Sequence, residues 1–101
     1  MVAEIIERNR EEIAALCRKH GVQQLDLFGS AVTGAFDEGS SDLDFLVTFD
    51  RPEEGILYRY LDLAEDLERL FHRKVDLLTE RSVGSREFRA DIERQRTPIY
   101  A

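Results

Sequence analysis

The most constraining feature of the sequence is the run Asp-Leu-Asp-Phe-Leu-Val-Thr-Phe at residues 42–49. Side chains two apart in a strand point to the same face, so Asp42 and Asp44 project from one side, about 6 to 7 Å apart. Leu43 and Phe45 point to the opposite side and are expected in the core. The run therefore predicts a strand with one buried face and one face that carries two carboxylates.

The rest of the chain alternates helical and strand patterns. Apolar residues at helical spacing predict a short helix from Ser30 and longer helices over 2–20, 53–71 and 85–95. Apolar runs bounded by turn residues predict strands over 22–28, 42–49 and 75–78, with an edge strand at 98–100. This order is typical of an α/β (α+β) domain, a small mixed β-sheet flanked by helices. A chain of 101 residues has room for one core, so we expect a single domain over 1–101.

Two helices have apolar stripes that we expect to face the core. The stripe of the last helix consists of Phe88 and Ile92. The stripe of the second long helix comprises Leu57, Tyr60, Leu61, Ala64, Leu67 and Phe71. His20 and His72 fall at predicted helix ends, where an imidazole interacts favourably with the helix dipole.

Composition excludes several classes of protein. The formal net charge is -7, from 14 basic and 21 acidic residues, which argues against nonspecific nucleic-acid binding. No uncharged run is long enough to cross a bilayer, and the charged N-terminal stretch does not resemble a signal peptide. The single cysteine, Cys17, lies in an apolar-periodic segment and is expected in the core. A reducing cytoplasm fits these features best.

A third acid, Asp76, interrupts the apolar run Val75-Asp76-Leu77-Leu78. If its strand is a neighbour of 42–49, three carboxylates converge, and each pair repels by roughly 3 kcal/mol at an effective dielectric near 20. Either one carboxyl group has a raised pKa, or a divalent cation is bound there. All-oxygen ligation suits Mg²⁺ or Mn²⁺, and Mg²⁺ usually combines one or two carboxylates with substrate phosphates.

A glycine-serine pair, Gly29-Ser30, follows the first predicted strand. Glycine allows a tight turn and a close approach of the backbone to a ligand, and serine adds a hydroxyl that can bind phosphate oxygens. Such a pair is weak evidence alone, because turns use both residues routinely. Its position upstream of the paired aspartates would place phosphates beside a metal ion.

Four segments in order carry a resemblance to a known family: Leu27-Phe28-Gly29-Ser30, Thr33-Gly34, Ser41 to Val47 and Val75 to Leu78. Together they resemble the minimal nucleotidyltransferase branch of the superfamily that includes DNA polymerase beta. The resemblance implies the polymerase beta-like nucleotidyltransferase fold. It also implies that Asp42, Asp44 and Asp76 are catalytic metal ligands and that Gly29 and Ser30 hold the nucleotide phosphates. Many relatives have an arginine where this chain has Thr33, and the spacing from Ser30 to Asp42 is one residue longer than in many minimal members.

The same resemblance implies a function. Minimal members commonly pair with a HEPN-type ribonuclease toxin and inactivate it, as the antitoxin of a type VII toxin–antitoxin pair, by Mg²⁺-dependent transfer of AMP from ATP to a tyrosine. Two alternatives remain open: transfer to a small molecule such as an aminoglycoside, and a non-catalytic module that neutralises its partner by covering it. The acids could also be structural, with Asp44 facing solvent and Asp76 blocking edge-strand aggregation. Homo-oligomer formation is undecided at this point.

Overall fold

In the computed structural model, which describes residues 2–101, a four-stranded sheet has helices on both faces. The α-helices are α1 (Glu4–Arg8), α2 (Arg10–His20), α3 (Ser30–Thr33), α4 (Ile56–Phe71) and α5 (Arg86–Gln95). The strands are β1 (Val22–Phe28), β2 (Leu43–Phe49), β3 (Val75–Leu78) and β4 (Thr97–Tyr100), and a 3-10 turn spans Glu80–Ser82. The predicted fold class is confirmed, with most element ends within three residues of their expected positions.

The order of the strands across the sheet is β3-β2-β1-β4. β1 runs antiparallel to both β2 and β4, whereas β2 and β3 are parallel and are connected through α4. The register pairs Asp44 with Phe28 on one side and with Asp76 on the other. The sheet is therefore mixed, as expected, and its register brings the predicted acidic positions of two strands side by side.

The two faces of the sheet are packed differently. One face, together with α1, α2 and α4, forms the main core, in which Leu43 and Phe45 are buried as predicted and Val47 is buried with them. The other face carries a smaller cluster of Phe28, Leu46, Val83 and Ile92, which lies under α5 and the 3-10 turn. Because α5 covers only part of this second face, Asp44 and Asp76 at its end remain accessible.

The prediction of one continuous helix over 2–20 was wrong, because the helix is interrupted at Asn9. Asn9 has non-helical torsions (φ -114°, ψ 19°), and its side-chain Nδ2 donates to the carbonyl of Ile5 at 2.8 Å. An asparagine amide competes in this way with the helical hydrogen bonds of the backbone. The predicted stop at Gly21 is confirmed, since Gly21 adopts the left-handed conformation (φ 68°) at the end of α2.

The predicted apolar stripes were partly wrong. On α4, Leu57 and Leu61 are 62% and 54% exposed, and Leu63, which the stripe omitted, is fully buried. The buried stripe of α4 is centred on Leu63, Leu67 and Phe71, so Leu57 and Leu61 lie on its flank. On α5, Ile92 is buried as expected, whereas Phe88 is 42% exposed.

Helix α2 carries two buried ionisable side chains, Cys17 and His20. Cys17 is fully buried, as predicted, and burial raises the pKa of its thiol to about 12. His20 lies in the last turn of α2, but it is buried, and its Nε2 is 2.7 Å from Asp66 Oδ2 on α4. The hydrogen bond from His20 holds the pKa of the Asp66 carboxyl below its usual range. This pair links α2 to α4. The predicted position of His20 at a helix end did not reveal that role.

Across residues 2–101, every helix is too short or too polar to span a membrane.

Candidate active site

The centre of the candidate site is a pair of carboxyl groups on neighbouring strands. The parallel register places Asp44 of β2 directly beside Asp76 of β3. Asp76 is partly exposed, and its Oδ1 is 3.6 Å from Nζ of Lys74. The structure therefore brings together two of the three acids that the sequence singled out.

Asp44 titrates abnormally in this arrangement. Burial raises the pKa of Asp44, and the hydrogen bond and charge of Asp76 and the charge of Asp42 raise it further, to about 6, against a smaller opposite effect of Lys74. Each of these carboxylates destabilises the charged form of the others. The site is therefore short of positive charge.

Asp42 lies at the surface, just before the acidic strand. It acts on Asp44 through its charge. The loop that delivers it is held by Arg73, whose Nη1 donates to the carbonyl of Ser41 at 3.1 Å and whose guanidinium lies 5.2 Å from the ring centre of Phe36. Arg73 is thus a supporting residue that sequence reasoning missed.

The carboxylate oxygens of the site suit a divalent cation that also binds the phosphates of a nucleotide. Within residues 2–101, the side chains of His, Cys, Asp and Glu form no group of three gathered closely enough to enclose a metal ion. Mg²⁺ rarely needs such a cage, because it usually binds one or two carboxylates and completes its shell with phosphates and water. Asp42, Asp44 and Asp76 supply only oxygen donors, and their excess negative charge is what a divalent cation would neutralise.

Gly29 packs directly against the carboxyl group of Asp44. Its torsions (φ 78°, ψ -153°) are accessible essentially to glycine alone, and a Cβ built on it would lie 2.3 Å from Asp44 Oδ2. Ser30 follows as the first residue of α3 and lines a cavity of about 460 Å³ that Gly34 and Phe36 also line. The predicted proximity of the glycine-serine turn to the acids is therefore present in the fold.

Gln95, the last residue of α5, and Arg96, which follows it, support the glycine-serine turn and the strand before it. Neither role was predicted from the sequence. Gln95 Oε1 accepts the hydrogen bond of the Gly29 N–H at 2.9 Å. The next residue, Arg96, donates from Nε to Asp26 Oδ2 at 2.7 Å, and Asp26 is only 1% exposed. Burial alone would lower the pKa of Arg96, but its hydrogen bonds to Asp26 and Glu93 outweigh burial and raise it. Two consecutive residues thus fix β1 and the turn that follows it.

A groove of about 380 Å³ opens beside the carboxyl pair. Asp44 and Asp76 form its polar end, and Phe28, Leu78 and Phe88 line its apolar part. Phe88 meets the ring of Phe28 edge-on, with ring centres 6.2 Å apart. Tyr60 of α4 also lines the groove and donates its hydroxyl to the carbonyl of Leu77.

Comparison with known sequences assigns the family. The sequence profile of the nucleotidyltransferase domain family matches residues 10–100. A protein of Methanocaldococcus jannaschii, provisionally named a protein adenylyltransferase, is 36% identical over 92 residues, which are 91% of each chain. The protein adenylyltransferase MntA of Thermococcus cleftensis is 36% identical over 83 residues, 74% of this chain and 81% of that protein.

Solved structures agree with this assignment. A structure provisionally described as a minimal nucleotidyltransferase has a TM-score of 0.75 and 34% identity, and the match covers 97% of this chain and 96% of that one. A toxin–antitoxin structure with AMP-PNP has a TM-score of 0.65 and 26% identity, over 92% of this chain and 73% of that one. An AMPylated HEPN toxin of Shewanella oneidensis in complex with its MNT antitoxin contains a chain that shares the fold (TM-score 0.61, 24% identity, 94% of this chain and 71% of that one).

The matched residues include the glycine-serine turn, the acidic strand β2 and the third acid on β3. The chain is therefore a nucleotidyltransferase, a member of the nucleotidyltransferase domain family of the minimal type.

Proposed function

We propose that the protein transfers AMP from ATP, with Mg²⁺, to a tyrosine hydroxyl of a HEPN-type ribonuclease toxin and so acts as the antitoxin of a type VII toxin–antitoxin pair in the cytoplasm. The observation that carries this proposal is the Asp44–Asp76 pair, which lies side by side on neighbouring strands, with Asp44 against the backbone of Gly29. Carboxylates beside a phosphate-binding turn are the arrangement that phosphoryl-group chemistry requires.

Each residue of the site has a separate role in the proposal. Asp42 and Asp44 hold the divalent ion, for which Mn²⁺ would also suit, and Asp76 completes the site beside the acceptor. Gly29 and Ser30 bind the phosphates, the first through its backbone and the second through its hydroxyl. The ion, when bound, stabilises negative charge on the transferred and leaving groups. The raised pKa of Asp44 supports these roles, because it reflects an excess of negative charge that a bound cation would offset.

Several observations support an antitoxin rather than another acceptor. Relatives carry the name protein adenylyltransferase, and structural neighbours are toxin–antitoxin complexes, one of them with an AMPylated HEPN toxin. The net charge of -7 favours a basic protein partner over direct contact with nucleic acid. A chain of this size also has little surface for enclosing a small acceptor, so a protein that supplies its own complementary face is the easier substrate.

The test is to incubate the purified protein with Mg²⁺, ATP labelled at the α-phosphate and a lysate of its source cell. The double variant Asp42→Asn/Asp44→Asn serves as the control. We expect label on one small protein, on a tyrosine, with the wild type only. Label on a small molecule instead would establish the alternative acceptor class. Neutralisation of a toxin in cells by the double variant would establish the non-catalytic module and refute the proposal.

Gln95 gives a further prediction, because its Oε1 accepts the hydrogen bond of the Gly29 N–H. Gln95→Leu leaves that part-buried donor unsatisfied, which costs about 1–3 kcal/mol and allows the Gly29 peptide to rotate. We expect the KM for ATP to rise by about five- to tenfold with a smaller change in kcat. Gln23→Leu makes the same substitution at an exposed position of β1 and is the matched control. Equal KM values for Gln95→Leu and the wild type would show that Gln95 does not position the turn.

A further inference from the structure

Lys74 lies beside the acids of the site. It immediately precedes β3, and the N–H of Leu43 donates to its carbonyl at 3.2 Å. Continued by two residues from the Asp44–Asp76 pair, the parallel register places Asp42 opposite Lys74. Three carboxyl groups and one ammonium group therefore occupy neighbouring positions on, or just before, two adjacent strands.

The ammonium group of Lys74 is directed to these acids. Its Nζ is 3.6 Å from Asp76 Oδ1, and its charge also acts on Asp44. Among the ion pairs of residues 2–101, this is the only one that any of the three acids makes. The neighbouring cation, Arg73, donates instead to the carbonyl of Ser41 at 3.1 Å. Lys74 thus supplies positive charge at the point where the site has an excess of negative charge.

The pair with Asp76 is loose. Its separation of 3.6 Å is longer than a hydrogen bond, and the side chains of Lys74 and Asp76 are 67% and 43% exposed. An exposed ion pair of this kind contributes little to the stability of a fold. Lysine carries a compact charge on a flexible four-carbon stem, so its ammonium group can leave one anion for another without a change in the backbone. These properties suit an exchangeable partner of the acids better than a structural one.

A bound nucleotide would bring the anion for such an exchange. Gly29 packs against the carboxyl group of Asp44, the same group on which the charge of Lys74 acts. Phosphates held by Gly29 and Ser30 are therefore expected within reach of the Lys74 ammonium group, and lysine is a common ligand of phosphate. A divalent ion at the acids would also repel this ammonium group, because two cations that share a carboxylate repel each other.

We propose that Lys74 is the counter-ion of the acids until the nucleotide binds, and that it then releases Asp76 and contacts a phosphate oxygen. A free divalent ion must compete with Lys74 and binds weakly, whereas an ion that arrives with the nucleotide frees Lys74 for the phosphates. This inference rests on the proposed function and deepens it, because it sets the order in which the metal ion and the nucleotide bind.

The test compares the affinity for a free ion with the affinity for its nucleotide complex. Binding of Mn²⁺ alone is measured by electron paramagnetic resonance, and binding of the Mn²⁺–AMP-PNP complex by calorimetry. Lys74→Met should bind free Mn²⁺ about tenfold more tightly, because it lacks the competing charge. It should bind Mn²⁺–AMP-PNP about three- to tenfold less tightly, because a charged contact with phosphate is lost.

Two further variants separate the position of the charge from its mere presence. The second lysine of the chain, Lys19 on α2, has a side chain that is 64% exposed and pairs with Asp66. Lys19→Met makes the same substitution and the same change in net charge, and it should alter both Kd values by less than about twofold, since solvent and salt screen a distant charge. Lys74→Arg keeps the positive charge and should bind free Mn²⁺ as weakly as the wild type does.

Opposite shifts of the two Kd values in Lys74→Met, without such shifts in Lys19→Met, would support the inference. An unchanged affinity of Lys74→Met for free Mn²⁺, or an equal gain in Lys19→Met, overturns it. Tighter binding of Mn²⁺–AMP-PNP by Lys74→Met also overturns it, because Lys74 would then compete with the ion without contacting phosphate. If the opposite shifts occur but no protein in the lysate receives AMP, the role of Lys74 holds and the proposed protein acceptor fails.

Discussion

Replacing Asp44 with asparagine is expected to abolish AMP transfer and, at neutral pH, to make the protein harder to unfold. The loss of transfer follows from the position of Asp44 between Asp76 and Gly29, where it is proposed to hold the divalent ion. Removal of comparable charge stabilisation lowers kcat by about 10²–10³-fold or more. A folded variant with wild-type transfer would refute the assignment of this site.

The expected gain in stability follows from the direction of the pKa shift. The folded pKa of Asp44 is about 6, above the unfolded value of 3.8, so the folded state binds the proton more tightly. Stability without metal therefore falls as the pH rises from about 4 to about 6, and the full penalty remains above that range. Replacing Asp44 with asparagine should therefore raise the free energy of unfolding by about 1–2 kcal/mol. In a domain of this size, each kcal/mol raises the Tm by about 4–8 °C.

Thermal unfolding in the presence of a chelator, at pH 7.5 and at pH 4, tests this effect. The advantage of Asp44→Asn should be present at pH 7.5 and absent at pH 4, where the wild-type carboxyl is already protonated. The matched control is Asp26→Asn on the adjacent strand, which makes the same chemical change beside Arg96. That variant should be less stable than the wild type, because it leaves a guanidinium without its charged partner. A lower Tm for Asp44→Asn at pH 7.5 would contradict the prediction.

Replacing Gly29 with alanine is the second change with a large expected effect. Two penalties act together: the positive φ of 78° strains any residue with a Cβ, and that Cβ would lie 2.3 Å from Asp44 Oδ2. The strain costs about 1–3 kcal/mol, and the collision must displace either Asp44 or the turn. We expect a less stable protein whose affinity for Mg²⁺ and AMP-PNP falls by at least about tenfold, equivalent to 1.4 kcal/mol.

Gly55→Ala separates these two penalties. Gly55 also has a positive φ, of 59°, but nothing lies within 4 Å of the position that its Cβ would take. It should therefore lose a similar amount of stability through strain alone, as measured by urea unfolding, and retain the binding of AMP-PNP measured by calorimetry. Comparable binding by the two alanine variants would show that contact between Gly29 and Asp44 does not organise the site.

Asp26 and Asp76 have the same sequence pattern but different surroundings in the fold. Each is a single acid in an apolar strand, and only Asp76 was assigned to the site. In the fold, Asp26 is fully buried and paired with Arg96, whereas Asp76 is partly exposed and adjoins another carboxyl group. A buried ion pair with Arg96 makes Asp26 a structural acid, whereas Asp76 meets Lys74 at the surface and lies beside the Asp44 carboxyl. Arg96 and Asp44 both come from distant parts of the chain.

The sequence by itself determined the fold class, most of the elements and the candidate site residues. Local patterns are sufficient for these features, since alternation along the run 42–49 assigns Asp42 and Asp44 to one side, and Gly21 ends α2. Only the tertiary structure decided the register of Asp44 with Asp76, the support of Gly29 by Gln95, and the exposure of Phe88. The physical reason is that these features depend on contacts between residues far apart in the chain. Periodicity and local propensity report only on residues that are near each other in sequence.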